Sequence, residues 1–400
     1  MRATAIPYGA YWSTPFAKWQ GTLAHLHSLL FAAHVARDAL ARRGVDPAVF
    51  DAGVLGSTVP QRGAFYGLPW LMGEIGAARA HGPTVNQACA TGVRSLAMAV
   101  AEVASGAADT VLTVCADRVS NGPLLYYPDP SGPGGHGVHE DWVLDNFAAD
   151  PFAKVAMVQT AENVATKYDI STAEQNDVTL LRHDQYRGAL AHDRAFQRRY
   201  MDLPFAVPNA RFSRTIATMA GDEGVHDTDA AGLARLAPVL AGGSVTYGGQ
   251  THPADGSAAI VVTTPERARA LRRAPIDVRV LGFGSARATL GYMPEAPVPA
   301  AQRAMDVAGL AIGDMDAINS HNPFVVNDIA FCRHFGIASD RMNRYGCSLV
   351  WGHPQGPTGL RGLIELIEEL ASRGGGRGLF QGCAAGDSAM ATVVEVTDAA

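Results

Sequence analysis

Two short stretches of this 400-residue chain carry residues that could do chemistry together. The first is Thr84-Val-Asn-Gln-Ala-Cys89-Ala-Thr-Gly-Val-Arg-Ser-Leu-Ala-Met98. Val93, Leu96, Ala97 and Val100 recur at the spacing of one helix face, which places Cys89 at or just before a helix N-terminus. Free backbone N–H groups and the positive end of the helix dipole meet there and favour a thiolate. Ala88, Ala90 and Gly92 leave room for a carbonyl to reach the sulfur. Taken alone, such a cysteine also packs as a small hydrophobe. The second stretch is Gly352-His353-Pro354-Gln355-Gly356-Pro357-Thr358-Gly359, a Gly/Pro-rich turn entering another helix. It holds a histidine on rigid backbone, where it could serve as the base that a cysteine nucleophile needs.

An internal repeat connects the two. Thr91-Gly-Val-Arg94-Ser-Leu96 matches Thr358-Gly-Leu-Arg361-Gly-Leu363, and each helix leads into an apolar strand ending near a cysteine, Cys115 or Cys383. At the shared offset of 267, His353 falls opposite Asn86, three residues before Cys89. Repeats of this kind fix architecture. They predict two similar α/β halves packed face to face, with equivalent turns meeting at a common centre.

The elements that must position these turns follow from the pattern along the chain. A first strand and loop are expected over 3–16 and an amphipathic helix over 22–44, stopped by Gly44. A buried strand at 51–56, a helix at 66–80 and a strand at 110–115 continue the α/β rhythm. It breaks from about 120 to 245, with an irregular Pro- and Gly-rich loop and then helices at 153–168 and 172–192. A segment this long reads as an insertion covering a ligand. The rhythm resumes with a strand at 258–263, a helix at 265–272, a strand at 276–284, a helix at 299–309 and a strand at 315–319. The domain division expected is residues 1–119 with 246–264 as one half, 120–245 as the insertion, and 265–400 as the other half.

Composition bounds the function. A formal net charge of -6 argues against a general nucleic-acid binder, which needs a basic surface. Five scattered cysteines with no CxxC pair read as reduced thiols, with neither a disulfide framework nor a metal site. No apolar run reaches membrane-spanning length, so a cytoplasmic protein without membrane contact is expected.

Gly352-His353-Pro354-x-Gly356-x-Thr358-Gly359 resembles a signature of the thiolase family. So do Ser13-Thr-Pro-Phe16 with Gln20-Gly-Thr-Leu23, Ala116-Asp-Arg-Val-Ser120-Asn121, Thr160-Ala-Glu-Asn-Val-Ala-x-Lys-Tyr168, and Gly243-Ser-Val-Thr-Tyr-Gly-Gly249 leading to Asp255-Gly256. The resemblance runs through the whole chain in order. It implies a five-layered αβαβα fold of two duplicated halves with an inserted loop domain, no tightly bound cofactor, and a coenzyme A thioester as substrate. It also implies a homodimer or homotetramer, with a small partner protein left open. By the same resemblance Cys89 is the acylated nucleophile, His353 its base and Cys383 the acid/base of the second step. The backbone N–H groups of Cys89 and Ala385 form an oxyanion hole, and Thr251 matches a pantetheine-contacting serine. Met157 is expected at the coenzyme A site, and Arg211 and Arg214, in the insertion, are expected to meet phosphate.

Several positions depart from that pattern. His321-Asn322-Pro323-Phe324 stands where Asn-Glu-Ala-Phe is usual, and resembles the His-first form of sterol-carrier-type and archaeal thiolases. His321, and after it Asn322, are therefore candidates to stabilise an enolate. Ala385 replaces a glycine in Cys383-Ala-Ala385-Gly-Asp387. The reading reached is a thiolase-type acyltransferase. A decarboxylating condensing enzyme using Cys89, His353 and His321, and a non-catalytic acyl-CoA-binding subunit, are the alternatives.

Overall fold

Long runs of β-branched and small apolar residues become the central strands of two sheets. The structure, a computed structural model, describes residues 2–398. Thr110–Arg118 and Ala254–Thr263 pair antiparallel without a break, from Arg118 opposite Asp255 to Thr110 opposite Thr263. Ala52–Gly56 joins Thr110–Arg118 in parallel, and Thr84–Val85 forms the edge. Tyr11–Ser13 and Ala17–Lys18 flank Ala254–Thr263. The second sheet runs Ile6–Pro7, Ile276–Arg287, Ser388–Asp398, Gly375–Ala384, Ala317–His321. Both sheets share one plan: a parallel pair (52–56 with 110–118; 317–321 with 375–384) followed by an antiparallel partner. Strands covered on both faces need apolar runs rather than alternation, which is why 254–263 is buried at every position.

The helices Thr91–Ser105 and Gly356–Ser372 pack on one another between the sheets. They touch at equivalent points of the repeat. A Cβ on Gly92 would stand 2.6 Å from the Gly356 carbonyl oxygen and 2.9 Å from the Leu360 nitrogen, and Gly359 lies against Val93. Only glycine permits so close a crossing, and the crossing brings both helix N-termini to one centre. Ser28–Arg43 covers the first sheet and Pro297–Ala308 the second, completing five layers.

Boundaries shift in explicable ways. The expected helix over 22–44 begins only at Ser28, because Leu23 and Leu26 sit in preceding turns. It ends as expected at Gly44, whose φ of +65° turns its N–H back to the Ala41 and Leu40 carbonyls. The helix at 66–80 is Gly67–Ile75, stopped by Gly76 at φ +91°. The segment 120–137 is not wholly irregular, since Leu124–Tyr127 pairs with Val138–Asp141. Ile6–Pro7 pairs with Ile276–Arg287 of the second sheet, while Ala5 beside it bridges Thr263 of the first. Among the described residues no helix is long and apolar enough to cross a membrane.

One buried charge ties the insertion to the core. Arg361, fully buried, gives 2.6 and 2.8 Å bonds to the two Asp222 carboxylate oxygens and a 3.0 Å bond to Glu365. Its guanidinium carbon stands 4.8 Å from the Phe16 ring centroid and 4.2 Å from that of Trp351. Removing one partner of such a pair leaves an uncompensated charge, which costs roughly 3–5 kcal/mol. Asp222→Ala should therefore lower unfolding free energy by about that much in denaturant titration; a loss under about 1 kcal/mol would show that the pair does not hold the fold.

Candidate active site

The turn before Thr91–Ser105 is tied by its own side chains. Asn86 Oδ1 accepts from the Ala88 N–H at 2.9 Å, and Thr91 Oγ1 accepts from Gln87 N–H at 2.8 Å while donating to the Ala88 carbonyl at 2.7 Å. Ala88 takes φ +45°, a left-handed conformation that a non-glycine residue holds only under constraint. The result is a sharp bend that presents Cys89 two residues ahead of the helix. Cys89 is partly accessible and faces a cavity of about 1140 Å³.

The thiolate expected from the helix N-terminus is not the resting state. Burial pushes the Cys89 thiol up to about 11; the backbone N–H groups of Ala385 and Cys89 pull it down, and the Asp117 carboxylate pushes it further up. Desolvation outweighs the local dipoles, so the sulfur rests as a thiol and needs a base at the moment of attack.

Two imidazoles stand beside it. His353 and His321 stack with ring centroids 4.0 Å apart and planes at 24°. His353 Nδ1 pairs with Thr358 Oγ1 at 2.7 Å, and His321 Nδ1 with Ser348 Oγ at 2.8 Å. Both Nε2 atoms are buried without a protein partner. The Cys89 sulfur and one ligating atom of each histidine lie within 4.8 Å of one another. Burial holds His321 down to about 3 and His353 well below the usual histidine range, the latter helped by its two neighbouring histidines. Both rings are therefore neutral at pH 7. Each spends Nδ1 on a hydroxyl, not on the carboxylate or carbonyl that usually orients a metal-bound histidine.

Cys383 lies behind this group and does not line the cavity. It is fully buried, accepts from Asn327 Nδ2 at 3.2 Å, and is raised well above the ordinary thiol range by burial and then by the charge of Cys89. Asn322 is fully buried and does not line the cavity. Its Nδ2 donates to Asp328 at 2.7 Å and to the Cys347 sulfur at 3.2 Å, and its Oδ1 accepts from Leu349 N–H and the Ser348 hydroxyl, each at 3.2 Å. Asn322 instead orders the Ser348 hydroxyl that meets His321.

Sequence reasoning missed Ser348 and Asn327. No local pattern marks them, because Ser348 lies 27 residues from His321 and Asn327 lies 56 from Cys383. Thr358 was visible as part of the Gly-His-Pro turn, although its role as the His353 partner was not.

Ala385, Thr251 and Met157 line the cavity with Cys89 and His353. Thr251 also bridges two site segments, its N–H donating to Pro323 at 2.8 Å and its hydroxyl to the Ser348 carbonyl. Arg211 and Arg214 are not brought there. They are exposed on the turn between Phe205–Pro208 and Thr215–Met219, where the intervening Phe212 packs on His34. Among the described residues no lysine or arginine lines the cavity; its ionisable walls are histidines and aspartates such as His183, His226, Asp150 and Asp229.

A duplicated αβαβα core with a cysteine and two histidines at the meeting of its central helices defines a thiolase-like protein. The chain belongs to the thiolase family: residues 10–266 match the thiolase N-terminal domain and 275–396 the thiolase C-terminal domain. It is similar to an acetyl-CoA acetyltransferase of Chromobacterium violaceum, at 28% identity over 96% of this chain and 97% of that one. It is equally similar to a 3-ketoacyl-CoA thiolase of Bacillus subtilis, at 28% identity over 99% and 100%. Among solved structures, human mitochondrial 3-ketoacyl-CoA thiolase in complex with CoA superposes with a TM-score of 0.89, at 25% identity over 99% of this chain and 98% of that one.

Proposed function

We propose that this protein forms or cleaves 3-oxoacyl-CoA thioesters by Claisen chemistry through an acyl group on Cys89. The observation that supports this most strongly is the convergence of the Cys89 sulfur, His353 and His321 within 4.8 Å, with the Ala385 N–H on the sulfur. Neutral His353 accepts the thiol proton at Nε2 as Cys89 attacks the thioester carbonyl. The N–H groups of Cys89 and Ala385 receive the developing oxyanion. Coenzyme A leaves as a thiol, taking the proton back from His353.

In the second half, Cys383 first gives its thiol proton to solvent and then, as the thiolate, removes a proton from the α-carbon of an incoming acyl-CoA. When the Ser348 hydroxyl turns its hydrogen from Asn322 Oδ1 to His321 Nδ1, His321 carries its proton on Nε2 and donates to the enolate oxygen. The carbanion attacks the acyl-Cys89 carbonyl, and the expelled Cys89 sulfur recovers a proton from Cys383.

Because burial disfavours the imidazolium, acylation should persist as pH falls through 6.5. We expect the acid limb of kcat/KM for acylation well below that value; a limb centred at the ordinary histidine pKa would contradict the desolvated pair.

A second reading, decarboxylating condensation, draws support from the two stacked histidines. Malonyl-CoA and acetyl-CoA offered as alternative carbanion donors separate the two. Turnover of acetyl-CoA that requires Cys383 supports the thiolase chemistry, and turnover of malonyl-CoA alone supports decarboxylation.

A further inference from the structure

We infer that the Gln355 carboxamide receives the acyl group carried on Cys89, and that this group bears a neutral hydroxyl or carbonyl close to its thioester carbon. This rests on the acyl-enzyme reading above, no step of which uses Gln355. The residue lines the cavity with Cys89 and His353 although it is only 9% exposed. Its side-chain amide makes no hydrogen bond to a described residue. A carboxamide offers two donor hydrogens and an acceptor oxygen. Once a substrate has displaced water from the cavity, leaving them unpaired is costly, so an acyl group that pairs with them is favoured.

The duplication explains how the amide comes to stand there. At the offset of 267, Gln355 falls opposite Ala88, and both take positive φ, +58° and +45°. Each half therefore bends at the residue three before the repeated threonine. One bend presents Cys89, and the other presents Gln355 from the opposite half. The second bend is pinned on both sides: His353 N–H donates to the His252 carbonyl at 2.9 Å, Gly356 N–H to Asp117 at 3.0 Å, and Thr358 N–H to the Gln355 carbonyl at 3.1 Å. A backbone that glycine would adopt more easily is thus held with a long polar side chain on it. The next residue, Gly356, has its carbonyl oxygen 2.6 Å from where a Cβ on Gly92 would stand. That sets Gln355 against the nucleophile's turn, at the acylated end of the cavity. Among the described residues no lysine or arginine lines the cavity, whereas Asp150 and Asp229 do, so a carboxylate on the acyl group is disfavoured and a neutral oxygen fits.

The test measures the second-order rate of Cys89 acylation by butanoyl-CoA, 3-hydroxybutanoyl-CoA and succinyl-CoA, for the full chain and its Gln355→Met and Gln355→Gly variants. The first variant keeps the length of the side chain without its amide. The second relaxes the positive φ as well, so a result shared by both does not come from strain. The wild type should favour 3-hydroxybutanoyl-CoA over butanoyl-CoA by about tenfold, the worth of one hydrogen bond, with succinyl-CoA slowest. Both variants should bring that ratio to within about twofold of unity. A wild type that takes butanoyl-CoA equally well overturns the assignment, as does a preference that survives in both variants or a preference for succinyl-CoA. Equal depression of all three thioesters in the variants would place the amide on the coenzyme A arm they share, which also overturns it. No acylation of wild-type Cys89 by any thioester, acetyl-CoA included, would remove the acyl-enzyme reading itself, an outcome distinct from unselective acylation.

Discussion

Cys89→Ala is expected to abolish turnover in both directions, lowering the rate by on the order of ten-thousandfold or more. Every step of the proposed cycle passes through a bond to this sulfur, and no other described thiol is placed to replace it. Cys115, Cys332 and Cys347 are buried and do not line the cavity, while Cys383 is buried behind it. The fold should survive the change, because Cys89 stands outside the helix and the bend is held by Asn86 and Thr91. Comparison of initial rates of thiolysis and condensation for the two proteins measures the effect. Retention of more than about a hundredth of the activity, far above what a lost nucleophile leaves, would place the nucleophile elsewhere.

His321→Ala should divide the reaction. Loss of one preorganised donor to a developing oxyanion costs on the order of a hundredfold or more. We expect condensation to fall by that factor while acylation of Cys89 changes little, because His353 and the two backbone N–H groups serve the first step. Cys383→Ala should show the same separation and should also stop exchange of the acetyl-CoA α-proton into deuterated water. Ser348→Ala offers a control: it leaves the ring in place but removes the hydroxyl that meets Nδ1. Equal losses in acylation and condensation for His321→Ala and Cys383→Ala would show that the labour is not divided this way.

The readable part of this protein is what short-range pattern encodes. Gly44 ends its helix where the sequence says it should, in the left-handed conformation that favours glycine. The duplication was legible because Thr91-Gly92 and Thr358-Gly359 must both be small where the helices cross, so the same residues recur at both places. That crossing is also why Cys89 and His353, far apart in sequence, could be placed together in advance. What escaped is tertiary. The helix-terminus argument for a thiolate saw the dipole and not the burial that overrides it. Arg211 and Arg214 have the right chemistry for phosphate, but residue type carries no address, and neither lines the cavity. Asn322 has a donor and an acceptor that a substrate could use, and the Asp328 and Ser348 side chains that consume them come from other elements.

The central claim is that an acyl group resides on Cys89 during turnover. Incubating the protein with acetyl-CoA, quenching in acid and locating the added mass by peptide mapping tests it directly. The account predicts one acetyl group per chain, on the peptide containing Cys89, removed by added coenzyme A. Acetylation of Cys383 or another residue, or an unmodified chain under conditions that support turnover, would contradict it.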